Sequence, residues 1–81
     1  MEKSIYSNDY QTFLNLLRQV RKEAGLTQEE LSSLLKQTQS FVSKCERGER
    51  RLDLIEARHF CQAIGIPFPE FIKRLELQLN S

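Results

Sequence analysis

Between Thr27 and Gly48 the sequence reads TQEELSSLLKQTQSFVSKCERG, two short helical patterns separated by only Lys36-Gln37-Thr38. Thr27 is a good N-cap and Glu30 follows three residues later, so hydroxyl and carboxylate can each satisfy a free backbone N–H in a capping box. A helix is predicted to begin at Gln28. Leu31, Leu34 and Leu35 fall at i, i+3 and i+4 as one predicted inward stripe, while Glu29, Ser33 and Lys36 face water. The apolar pattern then stops, and Thr38 suits the cap of a second helix. Only a sharp turn fits between them. In the second helix Val42 and Cys45 are the predicted buried side. That leaves Gln39, Ser40, Phe41, Ser43, Lys44 and Arg47 nearer the outside, with Gly48 as a left-handed stop.

The flanking chain carries the same periodicity. Residues 1–8 read as an N-terminal arm, in which Ile5 and Tyr6 could dock on the body or a partner chain, and residues 9–81 as one domain. Asn8 with Gln11 is a capping signal for a helix from about Asp9 to Ala24, with Tyr10, Phe13, Leu14, Leu17, Val20 and Ala24 inward and Gly25 as its stop. Arg18, Arg21 and Lys22 lie off that stripe. After the polar connector Glu49-Arg50-Arg51, Asp53 and Glu56 form a second capping box. It opens a helix to about Ile64 whose core face is Leu54, Ala57, Phe60, Cys61 and Ile64. Ile66 continues the core, Pro67-Phe68-Pro69 redirects the chain, and a last helix at about 69–79 carries Phe71, Ile72, Leu75 and Leu79 with Phe68 just ahead. Every strong period is helical. The expected fold is all-α.

Length and charge narrow the function. Eighty-one residues make one domain able to bury a core without staples. The two Cys fit no disulfide framework or paired zinc motif, and no apolar run is long enough to cross a membrane. The start MEKSIYSND lacks the apolar stretch of a signal peptide, so a cytoplasmic location is expected. Net charge is only +1, but its distribution is uneven. From Lys36 to Leu52 five cations (Lys36, Lys44, Arg47, Arg50, Arg51) face two anions (Glu46, Glu49), a local +3 that leaves −2 on the rest. A basic patch on a near-neutral body orients a protein on DNA.

LTQEELSSLL followed by QSFVSKCERGERRLDL resembles the Cro/repressor-type (XRE-type) helix-turn-helix of bacterial and phage regulators, over about Leu17 to Phe71. The resemblance rests on Thr27-Gln28 opening the first helix, Gln39-Ser40 opening the second and Glu46-Arg47-Gly48 closing it. It implies a compact five-helix repressor-like domain whose second helix lies in the major groove while the first crosses the phosphate backbone. The residue types agree. A Gln amide can pair bidentately with adenine, a Lys can reach guanine and a hydroxyl can serve base or phosphate, which makes Gln39, Ser40, Ser43 and Lys44 the base-reading candidates. Phe41 could rest on a thymine methyl or a sugar edge; the alternative is a packed, partly covered ring. Gln28, at a helix N-terminus, is placed for a phosphate, and the resemblance adds that its side chain braces Gln39. Arg47, Arg50 and Arg51 complete the DNA-binding set, with solvent or a pair to Asp53 or Glu56 as the alternative for Arg50 and Arg51. The family pattern also pairs Arg21 with Glu46 as a structural ion pair.

Two positions depart from the family. Lys36 stands where many members have Gly, at a turn position that often has positive φ, so either the lysine carries a modest backbone strain or the turn differs. Ser32 stands where many have Ala, and needs a partner, for which the carbonyl of Gln28 is the nearest candidate.

The expected partners are double-stranded DNA and a second copy of the chain. Phe68, Phe71, Ile72, Leu75 and Leu79 are the dimerisation candidates, unless they simply close the monomer core. An isologous dimer would place two recognition helices about 34 Å apart on a palindromic operator. Repression by occupying a promoter is the expected outcome. An antitoxin-like role, holding a small toxin protein while repressing its own operon, is the alternative. Enzymatic chemistry would have to come from Cys45, His59 and Cys61, of which both Cys lie on predicted buried stripes. No catalytic residue, metal site or cofactor is expected.

Overall fold

The structure, a computed structural model, describes residues 8–80. Five helices run through them: α1 (Asn8–Glu23), α2 (Gln28–Leu35), α3 (Gln39–Arg47), α4 (Leu54–Ile64) and α5 (Phe68–Leu79). The arm prediction, with Ile5 and Tyr6, lies outside the described residues except for Asn8, which is the first residue of α1. Local chemistry sets the other starts. Thr27 and Asp53 each form the full capping box, with Glu30 and Glu56 as the reciprocating carboxylates, and Thr38 caps α3 through the Phe41 N–H. Gly25, Gly48 and Gly65 terminate helices at positive φ.

α2 packs on α3 and α4, while α1 packs on α3, α4 and α5. The core between them holds Leu16, Leu17, Val20, Leu31, Val42, Cys45, Leu52, Phe60, Cys61, Ile64 and Phe71. Leu16 and Leu52 are additions to the predicted core.

Several predicted details differ. Leu34 is 55% exposed, because the buried arc of α2 runs through Leu31 and Ser32 with Leu35 on its shoulder. At about 100° per residue that arc leaves Leu34 beyond its edge. Leu54, 66% exposed, sits on the first turn of α4, while Leu52 fills the core at that end. Ala24 is exposed because α1 has already ended at Glu23. At the start of α1 the predicted capping pair is replaced: Gln11 donates to Asn15, and the Thr12 hydroxyl donates to the carbonyl of Asn8. The buried Ser32 hydroxyl donates to the carbonyl of Glu29 at 2.7 Å, three residues back, rather than to that of Gln28. α5 starts one residue early, at Phe68, with Pro69 inside its first turn.

Candidate nucleic-acid interface

The turn between α2 and α3 is closed by main-chain bonds. The N–H groups of Lys36 and Gln37 donate to the carbonyls of Ser33 and Ser32 at 3.1 and 2.9 Å. Lys36 stands at φ 58° and ψ 42°, the left-handed conformation that disfavours a side chain with a Cβ. The chain therefore makes the family's turn with a strained residue in place of glycine. At the far end of α3, Gly48 has φ 83°, and a Cβ there would stand 3.2 Å from Leu14 Cδ1. Both the backbone conformation and the space beside Leu14 favour glycine at that point.

α3 is anchored by a buried charge. Glu46 is 1% exposed and accepts from Arg21 Nε at 2.6 Å, Arg21 Nη2 at 3.0 Å and Gln28 Nε2 at 3.0 Å. Arg21 Nη1 also donates to the carbonyl of Leu26, and Arg18 Nη2 donates to the main-chain carbonyl of Glu46. One carboxylate thus joins α1, α2 and α3, and the predicted Arg21–Glu46 pair is its core. The Gln28 amide, which the resemblance assigns to bracing Gln39, is held by Glu46 instead. Among the described residues no buried side-chain N or O lacks a hydrogen-bond partner. Satisfied donors are what allow a charge to sit in such a place.

With Val42, Cys45 and Glu46 buried, the opposite face of α3 looks outward. Gln39, Ser40 and Lys44 are exposed there, and their side chains make no hydrogen bond or salt bridge with the described residues; Ser43 is half-buried beside them. Ser40, Ser43 and Lys44 follow at i, i+3 and i+4, and Gln39 lies four residues before Ser43, so the predicted base-reading set shares one side of α3, with Arg47 a turn further along it. Phe41 lies at the shoulder, half-buried, with its ring 6.2 Å from that of Phe60 and the Arg50 guanidinium 4.9 Å above it. It supports Arg50 as well as lining the surface.

The cations around α3 are not all free. Arg47 donates to Ser43 Oγ and pairs with Glu49 through Nε–Oε2 at 2.8 Å and Nη2–Oε1 at 3.3 Å. Arg50 pairs with Glu56 Oε2 at 2.9 Å. The guanidinium beside each carboxylate holds Glu49 and Glu56 below the usual carboxylate range, and the carboxylates raise Arg47 and Arg50 in turn. Arg51 stacks over the Tyr10 ring at 4.8 Å, and the Tyr10 hydroxyl accepts from the Leu52 N–H at 3.1 Å, tying the start of α1 to the connector. Sequence reasoning missed Glu49 and Tyr10 in these roles. The adjacency of opposite charges in Arg47-Gly48-Glu49 was the signal for the first; nothing in the spacing pointed to the second.

The dimerisation candidates divide. Phe71 is fully buried, edge-on to Phe13 at 6.0 Å and stacked on Phe68 at 6.4 Å, so it closes the monomer core and cannot meet a second copy. Phe68, Leu75 and Leu79 are half-buried, whereas Ile72 and the unpredicted Leu77 are exposed. Cys45 and Cys61 are free and buried, and burial pushes both thiols up, Cys61 to about 11. Among the described residues no three His, Cys, Asp or Glu side chains are placed to hold a metal, and no helix is long and apolar enough to cross a membrane.

Two short helices joined by a three-residue turn, the second bolted down by its inner face and polar on its outer one, define a helix-turn-helix protein. The Helix-turn-helix family matches residues 17–71, and the chain belongs to it as an HTH-type transcriptional regulator of the XRE family. It is 36% identical over 53 residues to the "Uncharacterized HTH-type transcriptional regulator y4dJ" of Sinorhizobium fredii (strain NBRC 101917 / NGR234), a match covering 65% of this chain and 69% of that one. Among solved structures it is similar to an "XRE-family like protein from Pseudomonas syringae pv. tomato str. DC3000", with TM-score 0.83 and 46% identity over 88% of this chain and 87% of the other. The family is one of DNA-binding regulators and not of enzymes.

Proposed function

We propose that the chain is a repressor that binds a palindromic operator as a homodimer, with α3 in the major groove. The observation that carries this reading is the outward face of α3, where Gln39, Ser40 and Lys44 are exposed with unused donors and acceptors on a helix fixed from behind by Glu46. Gln39 reads adenine, Lys44 reads guanine, and Ser40 and Ser43 serve base or phosphate according to register. Gln28 gives one amide N–H to Glu46 and has a second for a phosphate. Arg47, Arg50 and Arg51 take up phosphates along the connector, and Phe41 meets a sugar edge or thymine methyl beside Arg50. A second copy docks on α5 through Phe68, Ile72, Leu75 and Leu79. Ile72, 39% exposed, favours this face because burying it in a monomer is not needed.

Fluorescence anisotropy of the whole chain, on DNA from upstream of its own gene and on a scrambled control, tests the reading across a salt series. Tight binding that prefers the native sequence and weakens with salt is expected. Failure to bind either DNA at moderate salt would overturn it and turn the search toward a protein partner such as a toxin.

A further inference from the structure

Arg47, Arg50 and Arg51 lie close together in the chain, but their guanidinium groups are held differently. Arg47 and Arg50 close on the carboxylates of Glu49 and Glu56. The Arg51 guanidinium meets no carboxylate among the described residues and rests on the Tyr10 ring, 4.8 Å from its centroid. A ring face attracts a cation without cancelling its charge, so Arg51 is held and still open to an anion. Tyr10 holds the base of the same side chain as well. The peptide unit that joins Arg51 to Leu52 is bonded at both polar atoms: its carbonyl accepts from Arg50 Nη1 at 3.1 Å, and its N–H donates to the Tyr10 hydroxyl at 3.1 Å. Tyr10 is itself half-buried, its ring 5.4 Å from that of Phe13, which meets the buried Phe71. One tyrosine in the first turn of α1 thus fixes both ends of a cation on the connector.

We propose that Tyr10 is a positioning residue for DNA binding, presenting Arg51 to a backbone phosphate already ordered and fully charged. The proposal rests on the DNA-binding reading above and adds a residue of α1 to that site. A long side chain that is free in solution loses rotamer freedom when a phosphate fixes it. Arg51 has lost much of that freedom on folding. The ring contact persists when the phosphate arrives, because no protein oxygen has to leave the Arg51 N–H groups, whereas at Arg47 and Arg50 a carboxylate must be displaced. Phosphates are common to every sequence, so Tyr10 raises affinity without choosing the site.

The test is a double-mutant cycle in the full chain, read by anisotropy on the upstream DNA and on scrambled DNA across a salt series, with circular dichroism confirming that each variant is folded. Tyr10→Leu is expected to weaken both DNAs by roughly two- to fivefold with the salt slope unchanged, because the phosphate contact still forms but from a disordered side chain. Arg51→Gln is expected to weaken both further and to flatten the slope by about 0.9, the loss of one released counterion. In the Arg51→Gln background, Tyr10→Leu should cost nothing more, and Tyr10→Phe, which keeps the ring, should restore most of the loss seen with Leu. NMR of the wild type reads the contact without any variant: the Arg51 side-chain resonances should be shifted by the ring in the free protein and stay shifted on DNA. A Tyr10→Leu loss that persists without Arg51, no loss at all, a Phe variant as weak as Leu, or a ring shift that is absent or vanishes on DNA would each overturn the proposal while leaving the operator reading intact. Wild-type protein that binds neither DNA overturns the operator reading itself.

Discussion

Glu46 is a charge placed where water cannot reach it, and the three hydrogen bonds it accepts from the Arg21 and Gln28 side chains make that placement tolerable. Removing it leaves the Arg21 guanidinium buried with only the Leu26 carbonyl. Glu46→Ala should therefore destabilise the fold by about 3–5 kcal/mol in urea unfolding, against almost no change for Glu23→Ala at the exposed pair with Arg74. A loss for Glu46→Ala no greater than for the surface control would mean that the network does not anchor α3. The Arg21–Glu46 pair was legible through the family pattern. The link from Gln28 was not, because helical spacing says which face a glutamine occupies but not which of two acceptors its rotatable side chain will reach. The same holds for Ser32, whose hydroxyl found the carbonyl three residues back instead of four.

Helix boundaries were the most readable feature of the elements, because the signals that set them are local. Both predicted capping boxes, at Thr27–Glu30 and Asp53–Glu56, are present with both bonds. Burial at the ends of elements was less readable. Leu34, Leu54 and Ala24 fit the apolar period but are exposed, since the period defines a face and the neighbouring helices decide how much of it is covered. Between α2 and α3 the sequence departs from its family at Lys36, and the chain keeps the left-handed turn at φ 58°. Replacing Lys36 by Gly should relieve that strain and, after the greater freedom of the unfolded chain is counted, stabilise the protein by about 0.5–1 kcal/mol. Thermal unfolding reads this directly. A destabilised Lys36→Gly variant would show that the lysine side chain supports the turn in some other way.

At the scale of the whole molecule, the open question is what covers α5. Sequence periodicity grouped Phe71 with Ile72 and Leu75, yet Phe71 is the centre of the contact between α5 and α1, while Ile72 lies on the rim. The two should separate by experiment. Phe71→Ala should cost about 3–5 kcal/mol of monomer stability. Ile72→Asp should leave the fold intact but dissociate the proposed dimer in sedimentation and weaken operator binding. An Ile72→Asp protein that sediments as the wild type does would remove α5 from the interface.

The central claim is that α3 reads bases through Gln39. It is tested most directly by measuring the wild type and Gln39→Ala on the mapped operator, on the set of its single-base variants and on scrambled DNA. The expected result is a loss of about 1–3 kcal/mol on the operator, with discrimination relaxed at one base pair in each half-site and scrambled DNA bound as before. An equal loss on operator and scrambled DNA, or discrimination unchanged at every position, would contradict the assignment.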